Sequence, residues 1–223
     1  PRDAGFAIDV SEVKKAAAQG VKAMFVASPN NPSGNVTPRE DILQLLEMPM
    51  IVVLDEAYYE FSGQTLVQLV HEHDNLIVLR TFSKWAGLAG LRVGYGVFPE
   101  KLARHLLRIK PPYNVNTAAQ IAALESLKDL DYLQTTIRAI LTERQRLFDK
   151  LAGFKDIRPW PSQANFILCY VLNHQAEKVS QELKRRGILI RYFNNPLLKD
   201  YIRISVGKPE HTDALVAALK DIL

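Results

Sequence analysis

Four short apolar runs constrain this chain most: Ala23 to Ala27, Ile51 to Leu54, Leu76 to Leu79 and Val93 to Phe98. None alternates apolar with polar residues, so none reads as a strand with one wet face. Continuous runs of this length suit strands covered on both sides, as in parallel sheets. Helix signals lie around and between them. An amphipathic pattern opens the chain. Thr37 reads as an N-cap, with Pro38 at the first helical position and Glu40 closing a capping box ahead of Ile42, Leu45 and Leu46. A further helix is expected from Pro99-Glu100, with Leu102, Leu106 and Ile109 on one face. Strand and helix alternate, which predicts an α/β layered fold with a mostly parallel sheet and flanking helices.

The character changes after Pro111-Pro112, a pair that ends any helix. Helices are expected over 116–127 and 129–151, the second long enough to bridge two bodies. A strand over 166–171, a helix over 175–186, short strands over 188–190 and 201–205 and a closing helix from Pro209 follow. This second half predicts a smaller α+β domain, with the division placed at residues 1–128 and 129–223.

Composition serves mainly to exclude. With 48% hydrophobic and 23% charged residues in 223, the chain has a globular protein's makeup and length for one large domain or two modest ones. Its net charge of +4 is spread thinly, which gives no reason to expect nucleic acid but suits small anionic ligands. Cys169, the lone cysteine, lies in an apolar run and reads as a buried inert thiol. No apolar stretch approaches the roughly 18 residues of a membrane span, so a cytoplasmic protein without membrane contact is expected. Gly87, Gly90, Gly94 and Gly96 do not form a dinucleotide fingerprint. His71 and His73 have the wrong spacing for a helical metal pair, and no metal is expected. Lys184, Arg185 and Arg186 read as a solvated helix end.

Ligands of open α/β sheets bind beyond the carboxyl ends of the strands. Three polar clusters fall there: Ser28 to Gly34 (SPNNPSG), Asp55 to Tyr58 (DEAY) and Arg80 to Lys84 (RTFSK). Singly they are a turn, a loop start and a surface lysine. Their ordered combination, followed by the glycine-rich run after Lys84, resembles the fold-type-I aminotransferases, which use pyridoxal 5'-phosphate. Within that superfamily the set is most similar to the histidinol-phosphate aminotransferases, a likeness carried also by PPYNVN at 111–116 and IRISVGKPE at 202–210.

The resemblance assigns roles. Lys84 is the Schiff-base lysine and the catalytic proton carrier. Asp55 faces the pyridine nitrogen and keeps it protonated, since an opposite charge favours the charged form. Tyr58 and Asn31 hydrogen-bond the phenolic oxygen. Thr81, Ser83 and Arg92 take the phosphate. Arg203 binds the anionic group of a small amino or keto substrate, with Arg191 a second candidate. The implied reaction is transamination between L-histidinol phosphate and 2-oxoglutarate in histidine biosynthesis. A threonine-phosphate decarboxylase or an aromatic aminotransferase of the same fold would share nearly all of these motifs, and a non-catalytic binding module on the same body is the alternative of another class. The resemblance also implies a homodimer with active sites at the interface. Family chains are longer, so this sequence is expected to start partway into the cofactor domain and to hold the Schiff-base half of the site.

Overall fold

A computed structural model describes residues 2–223. They form two compact units, one of residues up to Asn30 and from Asn35 to Gln134, the other of Asn31–Gly34 and Thr135–Leu223.

In the first unit α1 (Val10–Ala18) begins at Asp9, whose carboxylate accepts the N–H groups of Ser11 and Glu12. Then come β1 (Ala23–Ala27), α2 (Arg39–Leu46), β2 (Ile51–Asp55), the single turn α3 (Tyr59–Ser62), β3 (Leu76–Thr81), β4 (Gly94–Val97), α4 (Glu100–Ile109) and α5 (Thr117–Lys128). The sheet order is β1-β2-β3-β4. The first three strands run parallel and β4 runs antiparallel to β3. Ile42, Leu45 and Leu46 of α2 pack with Val52, Leu54, Leu76 and Val78 into one core. Register sets Ala27 beside Asp55, Asp55 beside Leu79, and Thr81 beside Gly94. The carboxyl end of β3 thereby lies two residues beyond that of β2.

The helix α6 (Leu130–Ala152) runs from the first unit into the second, which continues with β5 (Ile157–Pro159), β6 (Phe166–Val171), α7 (Ala176–Arg185), β7 (Arg191–Tyr192), β8 (Tyr201–Ser205) and α8 (Pro209–Ile222). Its antiparallel sheet has the order β5-β6-β8-β7. Ile167, Cys169 and Val171 of β6 meet Val179, Leu183, Leu215 and Leu219 in its core. Cys169 is fully buried, and burial pushes its thiol far above the ordinary range, so it is inert.

Four expectations need correction. No capping box forms at Thr37: the N-cap position falls on Pro38 and carries no side-chain cap. Tertiary partners take Thr37 instead, its N–H donating to Ser28 Oγ at 2.9 Å and its hydroxyl accepting from Arg2 at 3.3 Å. The expected strand at 188–190 is displaced to β7, while Ile188 and Ile190 pack against the core. The apolar face of α4 is open, with Leu106 39% and Ile109 77% exposed. On β1, which has the sheet edge, Phe25 is 73% exposed rather than covered.

Gly94 lies where β3 and β4 approach most closely. A Cβ there would stand 2.6 Å from the Arg80 carbonyl oxygen, whereas one on Gly90 meets nothing within 4 Å. Gly94→Ala is expected to destabilise the protein by about 1–3 kcal/mol, read as a lowered Tm, with Gly90→Ala nearly neutral. Equal Tm values for the two variants would contradict this packing.

Candidate active site

Two buried aromatics present the lysine to solvent. Phe82 and Trp85 are 5% and 8% exposed, and their rings pack at 5.3 Å. Lys84, between them in sequence, is exposed and makes no hydrogen bond or ion pair among the described residues. Backbone bonds close the loop: the Phe82 N–H reaches Val93 O, and the Leu88 N–H reaches Phe82 O. Just before the lysine, Thr81 Oγ1 donates to Ser83 Oγ at 2.9 Å and accepts the Ser83 N–H at 3.1 Å. Arg92 has φ +56°, in the left-handed region. That conformation is uncommon for a side chain branching from Cα, and such residues gather at functional sites. Its guanidinium donates to Ala89 O at 2.9 Å.

These groups share one cavity of about 330 Å³, walled by Asp55, Arg80, Thr81, Ser83, Lys84 and Arg92 among others. Asp55 enters it from the end of β2, where its Oδ1 accepts the Ala57 N–H at 3.0 Å. Two hydroxyls, two guanidinium groups and an ammonium around one space suit a phosphate-sized anion. A carboxylate in the same wall suits a cationic ring atom, and an exposed amine can attack a carbonyl. Tyr58 is outside that wall. It is 8% exposed, and its ring centre lies 5.6 Å from Lys84 Nζ, within cation–π reach.

The remaining predicted residues belong to the second unit. The turn at Asn31–Gly34 is fixed by Gly34, which has φ +79° and whose added Cβ would stand 2.2 Å from Ser162 Oγ. The Gln163 N–H donates to Gly34 O at 2.7 Å. Arg203, on β8, donates from its guanidinium to Asn31 Oδ1 at 2.6 Å and lies 5.0 Å from the centre of the Phe166 ring. Its Nε is buried without a hydrogen-bond partner, so one donor of the fork is unsatisfied. Arg191 is the register partner of Arg203 across β7 and β8, but it is exposed and its guanidinium lies over the Phe193 ring at 5.5 Å. Among the described residues no group of three or more His, Cys, Asp or Glu could hold a metal ion, and no helix is long and apolar enough to cross a membrane.

The fold and the cavity define a class that the comparisons with known proteins also give. The aminotransferase class I and II family matches residues 2–219, and the chain belongs to that family. Particular relatives narrow the likeness. The chain is 49% identical over 222 residues to the histidinol-phosphate aminotransferase of Dehalococcoides mccartyi, a match that takes in all of this chain and 62% of that protein. The chain therefore spans less than two thirds of that relative's length. Among solved structures it superposes on the histidinol-phosphate aminotransferase of Clostridium acetobutylicum with a TM-score of 0.91 at 27% identity, covering 99% of this chain and 69% of the other. It superposes on the Sinorhizobium meliloti enzyme, solved with pyridoxal-5'-phosphate, with a TM-score of 0.90 at 29% identity, covering 100% and 63%. The fold is that of the fold-type-I aminotransferases, as the motifs imply.

Sequence reasoning gives no role to Glu56, Glu60 or Arg80, although two of them stand inside quoted motifs. The only signal in the sequence is a charge next to a buried apolar run. Burial raises the Glu60 carboxyl from 4.5 to about 7, with the Glu56 charge adding to this and Arg80 opposing it. One of its oxygens is buried without a partner. A carboxyl raised on folding stabilises the protein fully below its unfolded value, and that contribution is lost as pH rises through the folded value. Glu60→Gln is therefore expected to gain stability over wild type at about pH 8 and little at about pH 5, measured by denaturant unfolding. A gain of equal size at both would contradict a titrating Glu60.

Proposed function

We propose that this chain carries the Schiff-base lysine and cofactor-binding residues of a pyridoxal-phosphate-dependent aminotransferase that moves an amino group between L-histidinol phosphate and 2-oxoglutarate in histidine biosynthesis. The observation that carries the reading is the one cavity beyond the carboxyl ends of β2 and β3 that is walled by Asp55, Thr81, Ser83, Lys84 and Arg92. That donor set fits the cofactor. Thr81, Ser83 and Arg92 supply hydroxyl and guanidinium donors for a phosphate, Lys84 an amine for an aldehyde carbon, and Asp55 a carboxylate for a ring N–H. When bound, pyridoxal phosphate supplies an electron sink for the carbanion left when a substrate α-proton is removed.

The residues then divide the work. Lys84 would hold the cofactor through its amine, and its Nζ would serve as the base that takes the substrate α-proton. Asp55 holds the ring proton in place. Tyr58 and Asn31 are assigned to the phenolic oxygen. Arg203 takes the substrate's anionic group, a role favoured by its unsatisfied Nε, and Asn31 orients it through the 2.6 Å bond. Arg191, exposed on β7, is the second candidate. Residues 1–128 belong to the cofactor-binding domain in this reading and 129–223 to the smaller one. A cytoplasmic homodimer completes the proposal. The open apolar side chains of α4 and α5, including Leu107 at 65% and Leu124 at 60% exposed, are consistent with surface that a partner covers.

Full-length protein mixed with pyridoxal phosphate is expected to gain a visible absorption band that Lys84→Ala abolishes. Arg203→Ala is expected to keep the band and lose about 10- to 100-fold in kcat/KM, the worth of a charged hydrogen bond. A spectral response to threonine phosphate and none to histidinol phosphate would overturn the substrate assignment. Absence of the band in wild type would overturn the enzyme reading.

A further inference from the structure

Beside the cavity lies a buried ion pair that the proposed chemistry does not use. Glu56 directly follows Asp55, and Arg80 directly precedes Thr81. Their side chains are 2% and 11% exposed. Glu56 Oε2 accepts from Arg80 Nε at 3.1 Å and from its NH2 group at 2.9 Å. The other oxygen, Oε1, accepts the Leu66 N–H at 2.8 Å, and Thr65 Oγ1 lies 3.0 and 2.7 Å from the two. The same Arg80 NH2 group donates to Thr65 Oγ1 at 2.7 Å. The guanidinium also stacks 3.7 Å from the centre of the Tyr59 ring. Burial acts to lower Arg80, but hydrogen bonds with Tyr95 and Glu56 outweigh it and hold the guanidinium above its ordinary value.

A buried ion pair is a poor source of stability, because desolvating two charges cancels most of their attraction, and replacing both by neutral groups is often harmless to the fold. What such a pair does well is fix geometry, since a guanidinium fork accepts a carboxylate from few directions. This one joins the residue after Asp55 to the residue before Thr81, and Arg80 itself forms part of the cavity wall.

We propose that Glu56 and Arg80 are positioning residues for cofactor binding, a brace that sets the Asp55 carboxylate against the Thr81–Lys84 segment across the ends of β2 and β3. The inference rests on the reading of the cavity as a pyridoxal phosphate site. Neither residue is a catalytic group. The backbone bond from the Glu56 N–H to Leu79 O ties the same strand ends by main chain alone, and the side-chain pair adds the lateral restraint.

The test separates positioning from folding. In the full-length protein, pyridoxal phosphate affinity is titrated by absorbance and cofactor-free Tm is measured in parallel. Arg80→Lys keeps the charge and loses the fork; it is expected to weaken cofactor binding by about 10- to 100-fold, as loss of an outer-sphere orienting group does at metal sites, with a small change in Tm. Glu56→Gln/Arg80→Met removes both charges and keeps an acceptor for the Leu66 N–H. It is expected to recover most of the Tm that either single change loses and to remain weak in binding. If wild type binds and Arg80→Lys or the double variant binds as tightly, the brace is refuted and the site stands. If wild type itself does not bind, the reading of the site falls and the inference falls with it.

Discussion

The parallel pairing of β2 with β3 is the constraint on which the rest depends. Asp55 lies beside Leu79 in register, so the last residue of one strand and the loop after the next open into the same space. A one-residue slip would turn every side chain of a strand to the opposite face. It would take Asp55 out of the cavity and turn it toward the face that packs Leu76 and Val78 into the core. The hydrophobic core therefore fixes the chemistry by fixing the register. Antiparallel β4 then brings Gly94 against Thr81, where only a residue without a side chain allows the approach.

Around that frame the polar groups divide by burial. Lys84 and Arg92 are exposed on loops, one set between two anchored aromatics and the other in a left-handed turn. Glu56 and Arg80 lie behind them, paired and nearly dry. Glu60 stands at the margin of that pair with one oxygen buried and unpartnered, and burial raises its carboxyl above the ordinary range. The second unit handles its own polar group in another way: Arg203 is held by one carbonyl oxygen and one aromatic face, with part of its fork unused.

Much of this is legible in the sequence because it is local. The apolar runs at 23–27, 51–54 and 166–171 are strands, the proline pair at 111–112 follows the end of α4, and Pro209 opens α8. What the sequence hides depends on partners far along the chain. Thr37 carries every sign of a cap, yet Ser28 and Arg2 occupy it. Asn31 and Arg203 are 172 residues apart when they meet, and Glu56 and Arg80 are 24 apart; no periodicity announces either contact. The exposure of Phe25 and Ile109 is likewise a property of surroundings rather than of the segments that carry them.

Lys84 is the lysine proposed to meet the cofactor aldehyde, and borohydride trapping tests that assignment. Full-length protein is incubated with pyridoxal phosphate, reduced with borohydride, digested and mapped by mass spectrometry. A phosphopyridoxyl mass increment is expected on the peptide bearing Lys84, at a stoichiometry near one per chain. Modification spread over surface lysines, or concentrated on a different one, would contradict it.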